Sequence, residues 1–163
     1  MISIPASLPT PAPWVVAKFG GTSVATRERW EAIRRIAAAH RAAGRRVLLV
    51  VSALSGVTDL LKSITEAGPD EAHCRAVQAT LIERHHALVR ALELPASTAL
   101  EYWLAELDRL IADPRRTRAA LDWQAAVFAL GELMSSTLGA AFLTAGGLTT
   151  QWLDARDYLR AHP

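Results

Sequence analysis

Apolar positions change their period several times along the chain, and each change marks an element. Residues 14–19 include the run Val15-Val16-Ala17-Lys18-Phe19 and are predicted as a first strand. Between Thr26 and Gly44 the apolar stripe Trp30, Ile33, Ile36 and Ala37 has the three-and-four spacing of a helix packed on a sheet. Gly44 is its stop signal. Val47-Leu48-Leu49-Val50-Val51 then has no polar position, the pattern of a strand covered on both faces in a parallel sheet. Strand, helix and strand with a crossover of this length make a right-handed βαβ unit.

Helical spacing follows over about 58–67, and Gly68-Pro69 breaks it. Residues 70–112 read as helix with a break at Pro95. Val77, Leu81, His85, Leu88 and Leu92 line one face; Leu100, Trp103, Leu104, Leu107 and Ile111 line the next. Asp113-Pro114 is a turn. Helix is expected again over 117–130, an interruption at Gly131, and a further helix from Glu132 to Ala145. Gly146-Gly147 turns the chain, residues 148–153 read as a third strand, and Asp154 caps a last helix over Ala155 to Arg160. The fold class is therefore α/β, with a mostly parallel sheet and a helical excursion between the second and third strands. Open sheets of this kind bind ligands beyond the carboxyl ends of their strands.

Composition narrows the class. With 163 residues, 51% hydrophobic and 21% charged, the chain has the make-up of one packed domain. No run approaches the ~18 unbroken apolar residues of a membrane helix, so no membrane partner is expected. Met1 to Pro13 holds no cation and four prolines, the composition of a flexible leader rather than a secretory signal. A single cysteine, Cys74, excludes an internal disulfide and suits the cytoplasm. The net charge of +2 gives no reason to expect nucleic acid. Of 18 basic residues only Lys18 and Lys62 are lysines; the arginines, Arg84 among them, are scattered along predicted helices as a solvated surface would be. Lys18 thus sets a compact ammonium beside glycines in a chain that otherwise uses the planar guanidinium.

Three segments could carry chemistry. Lys18, Gly20, Gly21, Thr22 and Ser23 end the first strand in bare amides and a cation, which suits phosphate; an ordinary tight turn would read the same way. Neither Gly-x-Gly-x-x-Gly nor the Gly-Lys-Ser/Thr ending of a P-loop is present. Ser52, Ser55, Gly56 and Thr58 follow the second strand, as anion ligands or as helix caps. Glu132 after Gly131 is read as a carboxylate at a helix N-terminus, placed there by the dipole or by a substrate ammonium. His73-Cys74 and His85-His86 lack the spacing of a metal site, and the five tryptophans form no evident stacking platform.

Four segments then resemble the aspartate kinases of the amino-acid-kinase family. They are Lys18 to Val24, Val50 to Ala53 with Gly56 to Asp59, Gly131 to Ser135, and Gln151 to Arg156, in family order and with family-like spacing. The resemblance implies a three-layer αβα sandwich, here incomplete, and transfer of the ATP γ-phosphate to the β-carboxylate of L-aspartate. That reaction opens lysine, threonine and methionine biosynthesis. It implies that Lys18 is catalytic, that Lys18, Gly20, Gly21, Thr22 and Ser23 bind the ATP phosphates with Mg²⁺, and that Ser52, Thr58 and Glu132 contact aspartate. A homo-oligomer is expected of the full-length protein. The family's later Gly-Arg-Gly-Gly-Ser-Asp-like segment is not in these residues, so the chain reads as a leader, 1–13, and the amino-terminal part of a catalytic domain, 14–163. The alternative is a binding or assembly module that keeps the fold without turnover.

Overall fold

A computed structural model of the chain describes residues 12–67, 70–96, 98–114 and 120–159. The leader up to residue 11, the Gly68-Pro69 break, the predicted helix start at 117–119 and Arg160 lie outside them.

Strands β1 (Trp14–Phe19) and β2 (Arg46–Val51) pair in parallel, from Trp14 opposite Arg46 to Phe19 opposite Val51. Helix α1 (Arg27–Ala42) is the crossover between them. The Thr26 hydroxyl accepts from the Arg29 N–H at its start, and Gly44 takes φ +73° in the turn that follows it. Four longer helices follow: α2 (Val57–Ala67), α3 (Glu71–Ala91), α4 (Thr98–Ala112) and α5 (Leu121–Ala145). A last turn, α6 (Ala155–Tyr158), is capped by Asp154 as expected.

Helix α5 organises the core, touching α1, α2, α3, α4 and β2. It is apolar on most sides because it is surrounded. Its length and composition would suit a membrane span, but most of its apolar window is buried inside the molecule. Trp30 of α1 crosses it at Gly139, where a Cβ would stand only 2.0 Å from the indole ring. The indole N–H donates to the Val24 carbonyl at 2.9 Å, so the close approach also satisfies a buried donor.

Four sequence expectations need correction. Gly131 does not interrupt a helix; α5 runs through it, and Glu132 therefore sits mid-helix, away from any N-terminal dipole. Residues 148–153 do not form a strand; they run without regular structure past β2, and a cavity of about 280 Å³ lies between them, β2, α1 and α5. The sheet is covered on one face only among the described residues: Trp14, Val16, Leu48 and Val50 point outward, Val16 with 64% of its surface exposed. The second helical layer of a sandwich is not among the described residues. Ile36 is 41% exposed, because at about 100° per residue it lies on the far side of Ile33 from Trp30 and Ala37. Trp103 and Trp152, far apart in sequence, meet with ring centroids 6.0 Å apart and tie α4 to the segment after α5.

Candidate functional site

The carboxyl ends of the two strands carry the site. Past Phe19 the ladder gains one more bond, from the Ser52 N–H to the Phe19 carbonyl at 3.1 Å, so both loops leave the sheet side by side. Gly20 is extended, and Gly21–Ser23 form one 3-10 turn closed by the Ser23 N–H on the Gly20 carbonyl at 2.8 Å. The turn precedes α1 instead of opening it, since α1 is capped separately by Thr26.

Gly21 is required by position. A Cβ there would stand 2.7 Å from the Ala53 carbonyl oxygen and 3.2 Å from the Ser55 nitrogen. The first loop therefore rests on the backbone of the second. Lys18 is exposed, and its ammonium curls back along the same end: Nζ lies 3.7 Å from where a Gly20 Cβ would be. Thr22 is exposed; Gly20, Gly21 and Ser23 are half-buried.

Helix α5 fixes the second loop from below. Gly131 presses on Ala53, with only 2.7 Å between the Ala53 Cβ and a Cβ built on the glycine, and also on Val57 and Leu61. One turn on, the Ser135 hydroxyl donates to the Ser52 carbonyl at 2.6 Å. Ser52 is half-buried and held; Thr58, in the first turn of α2, is exposed. Glu132 follows Gly131 directly and is exposed beside this loop. Among the described residues neither the Lys18 ammonium nor the Glu132 carboxylate has a hydrogen bond or an ion pair. The structure thus joins Lys18 to the glycine turn, and the glycine turn to the second loop. It also joins that loop to the helix bearing Glu132. It gives no direct contact between Lys18 and Glu132.

Two residues in this assembly were not predicted as site residues. Ser135 ends the Gly131 to Ser135 segment, but its partner Ser52 is 83 positions away in sequence. Arg84 of α3 donates from Nη1 to the Ser55 carbonyl at 3.0 Å. Arg27 and Arg41 likewise reach the Ala91 and Thr149 carbonyls, while Arg34, Arg75, Arg90, Arg109 and Arg156 pair with carboxylates as a solvated surface should. Hydrogen bonds from Arg75, Arg109 and Arg156 hold Asp108, Glu106 and Asp154 below the usual carboxylate range. No cluster of three metal-ligating side chains occurs among the described residues, and none of the predicted site residues lines the 280 Å³ cavity.

A parallel βαβ unit with two touching loops beyond the carboxyl ends of its strands defines an α/β protein, and in open sheets of this class ligands bind at that end. The chain belongs to the amino acid kinase family, whose pattern matches residues 13–162. It is 31% identical over 166 residues to a chloroplastic bifunctional aspartokinase/homoserine dehydrogenase 1 of Arabidopsis thaliana, covering 96% of this chain and 18% of that protein. It is 30% identical to the aspartokinase of Chlamydia muridarum, covering 91% of this chain and 33% of the relative. The crystal structure of E. coli aspartokinase III in complex with aspartate and ADP superposes with a TM-score of 0.74 at 27% identity, over 88% of this chain and 31% of that one. The chain thus spans a third or less of each of these proteins.

Proposed function

We propose that residues 14–163 are the amino-terminal part of an aspartate kinase catalytic domain, which moves the γ-phosphate of ATP to the β-carboxylate of L-aspartate. The observation that carries this reading is the convergence of the Lys18 ammonium, the glycine turn and the second loop at one end of the sheet. Phosphoryl transfer needs little covalent chemistry from a protein. It needs positioned groups and compensation of the charge that spreads over the phosphate oxygens. Lys18 neutralises that charge, and the backbone amides around Gly20, Gly21 and Ser23, with the Thr22 hydroxyl, hold the phosphate tail. Ser52 and Thr58 orient the amino acid, and Glu132 faces its ammonium. Mg²⁺ enters with ATP as part of the substrate, held largely by phosphate oxygens and water. A cytoplasmic setting fits the single buried thiol of Cys74.

The test is aspartate-dependent ADP formation by the intact protein, with hydroxylamine trapping the acyl phosphate. Hydroxamate should accumulate only when aspartate and Mg-ATP are both present. Turnover of another acid with none of aspartate would reject the proposal. Calorimetry of the 163 residues with Mg-ATP separates the readings further: binding counts against a merely structural module.

A further inference from the structure

Arg84, like Arg27 and Arg41, carries its guanidinium to a backbone carbonyl distant in sequence, but its carbonyl lies in the loop that follows β2. Its guanidinium reaches from α3 to a loop carbonyl, at 3.0 Å from Ser55 O, and lies close enough to Gly56 that an added Cβ would be 3.0 Å from Nη1 and 3.8 Å from Cζ. Gly56 also takes φ +76°, a conformation that side chains resist, which by itself calls for a bare residue at this point. The loop is fastened elsewhere too. Ser52 is held by Ser135, and Ala53 and Ser55 lie against Gly21. Those contacts secure its beginning. The Ser55–Gly56 peptide, one before the peptide that opens α2 at Val57, has Arg84 as its side-chain partner.

Resting on the aspartate-kinase reading, we infer that Arg84 is a positioning residue for the amino-acid substrate, acting through the 52–58 loop. A peptide unit is planar and trans, so its C=O and N–H point in opposite directions. A guanidinium that holds the Ser55 carbonyl therefore also fixes the direction of the Gly56 N–H. It sets the angle at which α2 begins, and with it the place of the Thr58 hydroxyl relative to Ser52. Arg84 touches no reacting atom. It narrows the loop to one arrangement before substrate arrives.

The test compares Arg84→Ala and Arg84→Lys with the unaltered protein, and with Arg90→Ala as a control on the same helix, where the arginine pairs with Glu83 at the surface. Arg84→Ala should raise the KM for aspartate roughly fivefold, the order expected for one exposed charge-assisted hydrogen bond. The KM for ATP and kcat should stay within about twofold. Arg84→Lys should recover part of the loss, and Arg90→Ala should change nothing. Amide hydrogen exchange gives a readout independent of activity: peptides covering 53–58 should exchange faster in Arg84→Ala while the β1, β2 and α5 amides keep their protection. Unchanged exchange at 53–58 overturns the inference, as does an equal loss of protection everywhere. If the unaltered protein neither binds nor phosphorylates aspartate, yet Arg84→Ala loosens that loop alone, the kinase reading falls and the clamp stands.

Discussion

Among the described residues Lys18 is a cation without a counter-charge, whereas most of the described arginines find carboxylates or carbonyls. Its exposed ammonium lies over Gly20 and has no ion pair among the described residues. Removing an exposed, unpaired side chain moves folding stability by only about 0.5 kcal/mol either way. Removing a positioned charge from phosphoryl transfer is a different matter, and costs on the order of 10²- to 10³-fold in rate. Lys18→Ala should therefore lower kcat by roughly that factor while the urea midpoint stays put. Lys18→Arg should not restore the rate, since the planar fork cannot take the place of a compact point charge over a glycine turn. A stability loss as large as the activity loss would move Lys18 from catalysis to architecture. Such a residue is legible in sequence because its neighbours along the chain announce it. Arg84 is not, because its partner Ser55 is 29 positions away and nothing in its own helix marks it.

Helix α5 shows the same limit one level up. A glycine inside a helical pattern lowers local helix propensity, so Gly131 reads as an interruption from sequence. What requires it is Ala53, far away in the chain, against which a bare Cα must fit. The break was a packing contact, and Glu132 owes its position to that contact instead of to a helix dipole. Gly139 is a sharper case. Alanine there would gain up to about 1 kcal/mol in helix propensity, but its Cβ would stand 2.0 Å from the buried Trp30 ring. Overpacking of a well-filled core costs about 1 to 3 kcal/mol, and a rigid indole held by its own hydrogen bond cannot swing aside cheaply. The clash wins: Gly139→Ala should lower unfolding free energy by about 1 to 2 kcal/mol, read from urea midpoints at unchanged slope. An equal or raised midpoint would show that α1 and α5 slide apart freely.

For the molecule as a whole, the βαβ order and nearly all the inward stripes could be read from periodicity, because burial on one side of a helix writes itself into every third or fourth position. Ladder partners and the far face of a sheet could not, since both depend on what else is present. Residues 148–153 have the composition of a strand, yet stay off the β2 ladder. Val16, Leu48 and Val50 have the composition of a doubly covered strand, but among the described residues they are exposed, and α1 and α5 pack on the other face. His85 was legible as a core-facing residue, and its burial has a consequence for the entire fold. It is fully buried on α3, its Nδ1 is 2.7 Å from the Leu81 carbonyl, and its Nε2 has no partner among the described residues. With the Nδ1 proton donated to Leu81, the neutral ring is satisfied on one side, and a second proton would be left without an acceptor. Burial accordingly pushes its pKa below the ordinary value of 6.5, with the Leu81 hydrogen bond opposing and His86 and Arg84 adding to the fall. The unfolded chain then binds the proton more readily than the folded one. Stability should be flat above about pH 6.5 and decline as the pH drops below it, with a slope of at most about 1.4 kcal/mol per pH unit for one proton. The decline ends once the pH passes the lowered folded value. The depressed carboxylates of Glu28, Glu106, Asp108 and Asp154 act in the same direction but only toward their own unfolded values of 4.5 and 3.8, so the interval from pH 6.5 to 5.5 reports mainly on the buried ring. His85→Leu, which fills the space without a titrating group, should remove the slope in that interval. A slope that survives the substitution would mean that the proton is taken up elsewhere.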